Sequence, residues 1–575
     1  MTYKWNYQSL TNHLKKKKDE LAKKLNIHPI VAELLIQRGF DEEIVAEPFL
    51  NPQLSDLHNP FLMPDMHKAV RRIEEAIGNK ERILVYGDYD VDGTTAVSLV
   101  YKFFRKITSN IDYYIPDRCE EGYGISFQGI DYALESDVKL IISVDCGIKA
   151  ISKVAYAKEK GIDFIICDHH KPDEILPDAV AVIDAKRVDS AYPYDELSAC
   201  GVGFKLVQAF SKANNMPFSD IEPLLDLVAV SIASDIVPIT GENRVMMFYG
   251  LKQLNSNPSF GLRGIIEICG LTRKKITVSD IVFKIGPRIN ASGRMMNGKE
   301  AVELMTATDL ATARLKSEEI DKYNDDRREL DKKITEEATQ RINKKNLKEQ
   351  KSIVLYHETW HKGIIGIVAS RLSERFSRPV IVLTKSNGLV SGSARSIAGF
   401  DVYKAIESCK DVLENFGGHT YAVGLTLREE NLPEFAERFN ALSFDEIEPK
   451  MILPHIGIDA EITLNEITEQ FVSDLLRLSP FGPENDNPIF ITRNVRDAGG
   501  SRLVGKESHH IKLDLIDDTN KDAKFPLRGI ALYQGDKFPL IKGDKPVTIC
   551  YTVERNTHGR NSFIQLMVRD IQAEH

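Results

Sequence analysis

Val85-Tyr-Gly-Asp-Tyr-Asp-Val-Asp-Gly93 sets three carboxylates, Asp88, Asp90 and Asp92, directly after the apolar run Ile83-Leu84-Val85. The residues that follow, Thr94-Thr95-Ala96-Val97, read as the opening of a helix. Three like charges this close repel one another and cost stability without a counter-cation. A solvated acidic turn is the bland alternative, and repetition of the pattern downstream argues against it. Leu140-Ile-Ile-Ser-Val144 ends on Asp145, and Phe164-Ile-Ile-Cys167 ends on Asp168-His169-His170. Leu227-Val-Ala-Val-Ser-Ile-Ala233 runs into Ser234-Asp235; it fits a strand or, given Leu224-Leu225-Asp226 before it, a helix. Short Val/Ile/Leu-rich runs between amphipathic stretches predict an α/β fold on buried parallel strands. Ligands of such sheets gather at the carboxyl ends of the strands. Asp88, Asp90, Asp92, Asp145, Asp168, His169, His170 and Asp235 are thereby sent to one edge.

Carboxylates with one or two imidazoles suit Mn²⁺ or Mg²⁺. The seven cysteines form no C-x-x-C pair of the kind structural zinc uses, and Cys146 and Cys167 read as small buried apolar residues. So many acids imply two cations about 3.5–4 Å apart, bridged by a shared Asp, activating water and stabilising charge on a phosphoryl group. The expected metal ligands are Asp88, Asp90, Asp92, Asp145, His169 and Asp235, with His170 joining them in catalysis. His169 and His170 are adjacent, so on extended backbone they point to opposite sides. One then ligates while the other contacts the scissile phosphate or orients the first.

These residues carry a family resemblance. Asp168-His169-His170 resembles the signature of the DHH phosphoesterase superfamily, and Gly87-Asp-Tyr-Asp-Val-Asp-Gly93 the first motif of its RecJ branch, single-strand-specific 5′ exonucleases. Further matches follow in order: Pro116-Asp-Arg118 with Glu121-Gly-Tyr-Gly124, Ser234-Asp-Ile-Val-Pro238 with Glu242-Asn-Arg244, and Pro287-Arg-Ile-Asn-Ala-Ser-Gly-Arg-Met295. Beyond them come the segment from His361 to Leu372, Ser391-Gly-Ser-Ala-Arg-Ser396, Gly417-Gly-His-Thr-Tyr-Ala-Val-Gly424 and Ser479-Pro-Phe-Gly-Pro-Glu-Asn485. Val423 departs from the small residue usual there. The resemblance implies a 5′-terminal phosphate near Ser393 and Arg395, with Arg118 and Arg288 from the first lobe. It also makes Asn290, Arg294, His361 and His419 substrate-binding residues.

The expected organisation is a parallel-sheet DHH domain joined by a long helix to a second α/β domain, then a C-terminal OB-like β-barrel. Residues 1–70 read as a helical segment broken at Asn51-Pro52 and Asn59-Pro60, and 71–235 as the metal-bearing domain. Residues 236–350 read as helical. Within them Ile320, Tyr323, Leu330, Ile334, Ala338 and Ile342 recur at helical spacing in a connector spanning about 300–347. The lobe at 351–445 opens on Ser352-Ile-Val-Leu-Tyr356 and returns through Val380-Ile-Val-Leu383. Gly363 and Gly366 before a helix, Ser393 and Arg395 at a strand end, and a small-residue loop at Gly417-Gly418-His419 suit contact with a phosphate backbone. Residues 446–575 carry about five alternating runs, such as Ile511-Lys-Leu-Asp-Leu-Ile516, that fit a small barrel. Single-strand binding by this barrel is implied by the resemblance; its aromatics are few and mostly read as buried.

Composition is that of a soluble globular protein, with 42% hydrophobic and 28% charged residues. No stretch approaches the roughly 20 apolar residues of a membrane span, the N-terminus lacks a signal-peptide core, and scattered cysteines fit a reducing cytoplasm. A net charge of −9 does not decide the partner, because the local footprint matters more. Lys15-Lys-Lys-Lys18 reads as a solvated helix face. The expected activity is a 5′→3′ exonuclease on single-stranded DNA in repair and recombination. It would act as a monomer, with a helicase and a single-strand-binding protein as its expected partners. Two alternatives are a DHH-type phosphodiesterase acting on short oligonucleotides or cyclic dinucleotides, and a non-catalytic replication scaffold.

Overall fold

Arg82–Gly87 (β1), Ile111–Tyr114 (β2), Val138–Val144 (β3), Asp163–Cys167 (β4) and Ala181–Ile183 (β5) form a parallel sheet in the order β2-β1-β3-β4-β5. The computed structural model describes residues 3–7, 10–118, 120–342, 350–448, 451, 455–519, 526–543, 545–558 and 561–574. Cys119 and the stretch 343–347 of the expected connector lie outside the described residues. Two compact units divide the chain: Leu57–Pro238 with Glu242–Leu453, and Met1–Asp56 with Ile239–Gly241 and Pro454–His575.

Register in the first sheet is what aligns the acids. Gly87 pairs with Val144, and Val144 with Cys167, which in turn pairs with Ile183. The residues leaving the strands, Asp88, Asp145, Asp168 and Asp184, therefore emerge side by side. Helix α1 (Val91–Arg105) packs on α2 (Ala199–Ala213) and on α3 (Leu225–Asp235). The apolar run before Asp235 is thus a helix and not a strand. Every residue from Leu225 to Ala233 is buried, so the run lacks the polar face that marks a surface helix.

Helix α4 (Gly286–Met295) leads towards the long α5 (Leu310–Arg341). The expected unbroken helix from about 300 is interrupted: Lys299–Met305 is a separate helix, and Asp309 restarts the chain by accepting the Thr312 N–H at 2.8 Å. The 32 residues of α5 span about 48 Å. It packs on α4 and on α6 (Ile365–Phe376) of the following lobe, so it links the two α/β halves of this unit. That lobe is a five-stranded sheet of Ile353–Tyr356 (β6), Val380–Ser386 (β7), Leu389–Arg395 (β8), Asn415–His419 (β9) and Ala422–Leu427 (β10), ordered β9-β10-β8-β7-β6. Gly417-Gly418-His419 is consequently strand, not loop, with Gly418 paired to Val423.

In the other unit, Phe490–Asp497 (β11), His510–Ile516 (β12), Leu527–Ala531 (β13), Val547–His558 (β14) and Asn561–Ala573 (β15) run in the order β11-β14-β15-β13-β12. Arg496 of β11 pairs with Ile516 of β12, which closes the ring into a small barrel. Ile511, Leu513 and Leu515 point inward and share a core with Val31, Leu34 and Leu35 of the N-terminal helices. Phe490 and Tyr551 are buried, whereas Tyr533 is exposed. Among the described residues no helix is long and apolar enough to cross a membrane.

Candidate metal centre and facing anion clamp

Each acid of the first sheet edge is fixed by its own local structure. Asp90 caps α1, its Oδ1 accepting the Gly93 N–H at 3.0 Å. A Cβ on Gly93 would lie 2.4 Å from the Asp88 carbonyl oxygen, so only glycine lets this turn fold back on the ligand-bearing strand. Asp92 is buried and accepts from the Ala199 and Cys200 N–H groups at 2.8 and 2.9 Å, at the first turn of α2, and from Ser231 Oγ at 2.6 Å. Asp145 leaves β3 with φ 61°, a left-handed turn that places its carboxylate 3.3 Å from His169 Nε2. Asp92 and Asp235 each approach the same nitrogen to 3.8 Å.

His169 is held in one tautomer. Its Nδ1–H donates to the Leu197 carbonyl at 3.2 Å, which leaves Nε2 unprotonated towards the three carboxylates. Asp168 does not share in this: its oxygens accept from the N–H groups of Ile148, His169 and His170 and from His170 Nδ1 at 2.8 Å. It positions both imidazoles instead of facing the cluster. The two rings do not diverge as extended backbone would require; their centroids lie 4.5 Å apart. The strand ends at Cys167, and the Asp168 carboxylate turns the chain and captures both following N–H groups.

The electrostatics of this edge call for cations. Burial, then the charge of Asp90, pushes the Asp88 carboxyl well above its usual range, and Asp145 is pushed up by burial and then by Asp90, Asp92 and Asp88. Asp235 is raised to about 8 by burial, then by Asp92 and Asp90. Burial also lowers His169. Burial works against the charge on His170 too, but the hydrogen bond to Asp168 and its charge win and raise it to about 9. Asp88 Oδ1 is buried with no hydrogen-bond partner. Three donor sets, Asp88–Asp90–Asp145, Asp92–His169–Asp235 and Asp145–His169–His170, each lie within 4.8 Å. An orphaned carboxylate oxygen among oxygen and imidazole donors fits hard divalent cations such as Mn²⁺ or Mg²⁺.

Opposite in sign is a cluster of cations drawn from both halves of this unit. The Arg118 guanidinium lies 4.7 Å over the Tyr89 ring. Arg294 donates to the Gly363 carbonyl at 3.0 Å, and burial followed by the charges of Arg118, Arg327 and Arg395 pushes it down to about 9. Arg395 donates to Ser370 Oγ at 3.1 Å and Ser393 Oγ at 2.9 Å, and it and His361 are lowered by burial and then by Arg118. His419 is lowered by burial, then by Arg395 and His170. Guanidiniums that repel one another in this way, with two imidazoles beside them, can hold an anion. Gly366 lies against them: its Cβ would sit 3.1 Å from Ser393 Oγ and 3.2 Å from Arg395 Nη2.

Arg288 and Asn290 make no bond to the groups above, although the charge of Arg288 contributes to lowering Arg327, which in turn acts on Arg294. Arg288 is spent on Asp321 of α5 at 2.7 Å and on the Lys284 carbonyl, while Asn290 Oδ1 is buried without a partner. Sequence reasoning missed Asp184, whose carboxyl is raised to about 7 by burial, and whose strand β5 is too short at three residues to register as a run. It also missed Ser231 on Asp92, Arg327 on α5, and Tyr123, whose hydroxyl donates to the Asp145 carbonyl at 3.0 Å and lies 3.2 Å from His170 Nε2.

The fold and its acid-and-histidine edge define a DHH-class protein: the DHH family N-terminal domain matches residues 82–232 and the DHHA1 domain residues 349–443. A RecJ OB domain matches residues 458–570. The single-stranded-DNA-specific exonuclease RecJ of Bacillus subtilis is 35% identical over 554 residues, covering 96% of this chain and 69% of that protein. Its namesake in Haemophilus influenzae is 30% identical, covering 97% and 99%. The crystal structure of RecJ in complex with Mn²⁺ from Thermus thermophilus superposes with a TM-score of 0.84 at 26% identity, covering all of this chain and 80% of that one. The chain belongs to the RecJ family.

Proposed function

We propose that this chain is a metal-dependent exonuclease that degrades single-stranded DNA from its 5′ end and releases 5′-mononucleotides. One observation carries the reading: the Arg118 guanidinium lies over the ring of Tyr89, between Asp88 and Asp90, and its charge opposes the rise of those two carboxyls while adding to the fall of Arg395 and His361. An acid cluster that binds metal cuts phosphodiesters; a cation cluster a short way off measures where the cut falls.

Asp88, Asp90, Asp92, Asp145, His169 and Asp235 would hold two divalent ions, which when bound activate water and neutralise charge on the phosphoryl group. Ser393, Arg395, Arg118 and Arg294 would grip the terminal 5′ phosphate, the planar guanidinium forks matching its oxygens. His361 and His419 add donors to the same anion. His170, protonated and locked to Asp168, would donate Nε2–H to a non-bridging oxygen of the scissile phosphate. Release of single nucleotides would follow from a clamp placed one phosphate away from the metal edge. Selectivity for single strands would rest on shape, since none of these groups is a base-edge reader.

In this reading residues 71–235 cut, 351–445 hold the end, 236–350 join them, 446–575 grip the strand, and 1–70 is an N-terminal helical segment. A nuclease confined to single strands works on DNA opened by a helicase or coated by a single-strand-binding protein, here as a cytoplasmic monomer. The test is digestion of 5′- and 3′-labelled oligonucleotides, single-stranded and duplex, with Mn²⁺ or Mg²⁺. Mononucleotides bearing the 5′ label should appear first, and only from single strands; release from the 3′ end or equal cutting of duplex overturns the proposal.

A further inference from the structure

Ile236 follows the candidate ligand Asp235 and ends α3 with φ 61° and ψ 29°. A left-handed residue at a helix C-terminus is normally Gly or Asn, because a β-branched side chain is strained there. Packing does not explain the choice, for the Ile236 side chain is 65% exposed while Ile232 and Ala233 before it are buried. The strain is local to the site: the Asp235 carboxylate, one residue back, lies 3.8 Å from His169 Nε2. Nearby is a second exposed apolar group. The turn Ile281–Ile285 packs on α3, and Gly286 at its end would bring a Cβ within 2.7 Å of Ser234 Oγ. Phe283 on that turn is 74% exposed.

A strained residue whose side chain faces solvent is retained for what it touches when a ligand is bound. Here the ligand is a single strand, so the inference rests on the reading above. We infer that Ile236, with Phe283 on the turn packed against α3, is a strand-binding residue: it packs on the apolar face of a nucleobase next to the acid edge and adds to the affinity for the strand. Aliphatic and aromatic wedges are used in this way against base steps elsewhere. The contact would be indifferent to sequence, because every base offers an apolar face.

The experiment compares the full chain with Ile236→Gly on two 5′-phosphorylated single strands, one natural and one abasic over its first positions. Rates are measured with Mn²⁺, and binding of both strands by fluorescence anisotropy. Ile236→Gly should unfold at a higher temperature, having lost the strain, yet bind the natural strand about tenfold more weakly through KM with kcat unchanged. On the abasic strand the two proteins should coincide. Phe283→Ala should shift KM the same way without the gain in stability. Unchanged KM and affinity on the natural strand, or an equal loss on both strands, overturns the inference. If Ile236→Gly does not fold, Ile236→Asn, which also tolerates the left-handed turn, takes its place. Anisotropy reads the base contact whether or not either strand is cut, so failure of the nuclease reading is a separate outcome.

Discussion

Replacing Asp235 by Asn should stabilise the metal-free protein and abolish its response to metal. The Asp235 carboxyl is raised from the ordinary value near 3.8 to about 8, by burial and then by Asp92 and Asp90. A folded-state pKa above the unfolded one means that the folded chain keeps a proton the unfolded chain would release. Metal-free stability is then highest below pH ~4, falls as pH rises towards about 8, and levels off beyond it. At about 1.4 kcal/mol per unit, a window of about four units sets a ceiling of roughly 6 kcal/mol. Asn keeps the size and removes the charge, so Asp235→Asn should recover part of that sum. At roughly 2–4 °C per kcal/mol, the unfolding midpoint in chelator should rise by several degrees at pH 8, by roughly a third as much at pH 5, and hardly at all near pH 3.5. With Mn²⁺ the order inverts: the unaltered chain gains about 2.7 kcal/mol at a hundredfold excess over Kd, and the variant gains little. Differential scanning fluorimetry across pH, with EDTA and with Mn²⁺, reads both effects. A variant less stable than the parent in EDTA at pH 8, or one with an undiminished Mn²⁺ shift, would refute the reasoning.

Two other ligands should separate by stability although both abolish cutting. Asp145→Ala removes a repelled charge and should leave the fold and DNA binding intact while lowering cleavage by roughly 100-fold or more, measured in single-turnover assays. Asp92→Ala strands the Ala199 and Cys200 N–H groups and Ser231 in the interior, and should cost on the order of 3–5 kcal/mol in denaturant titration. Arg395→Lys keeps the charge but loses the fork held by Ser370 and Ser393; it should weaken binding of a 5′-phosphorylated strand about tenfold and leave a 5′-hydroxyl strand unaffected.

The acid edge was legible because a parallel sheet delivers the residues after its strands to one line, and register set Asp88, Asp145 and Asp168 level. The helix before Asp235 was not, since a run buried on all sides has no polar face to give it a period. The two histidines met because side-chain capture at Asp168, a contact no spacing rule encodes, replaced the extended backbone. The break before α5 did have a signal: Asp309, a capping residue two positions after Ala307 in a stretch read as continuous helix. The cation cluster was legible only through the family resemblance, because Arg118, Arg294 and Arg395 are far apart in sequence and no spacing rule joins them; Arg327 on α5 carried no such signal. Gly417-Gly418 looked like a loop by composition, and pairing with β10 overrode it.

Crystals of the full chain soaked with Mn²⁺ and a non-hydrolysable 5′-phosphorylated strand test the central claim most directly, by anomalous scattering at the manganese edge. Two peaks about 3.5–4 Å apart are expected among Asp88, Asp90, Asp92, Asp145, His169 and Asp235, with the 5′ phosphate on Ser393 and Arg395. Manganese bound elsewhere, or a strand entering with its 3′ end at Arg395, would contradict that claim.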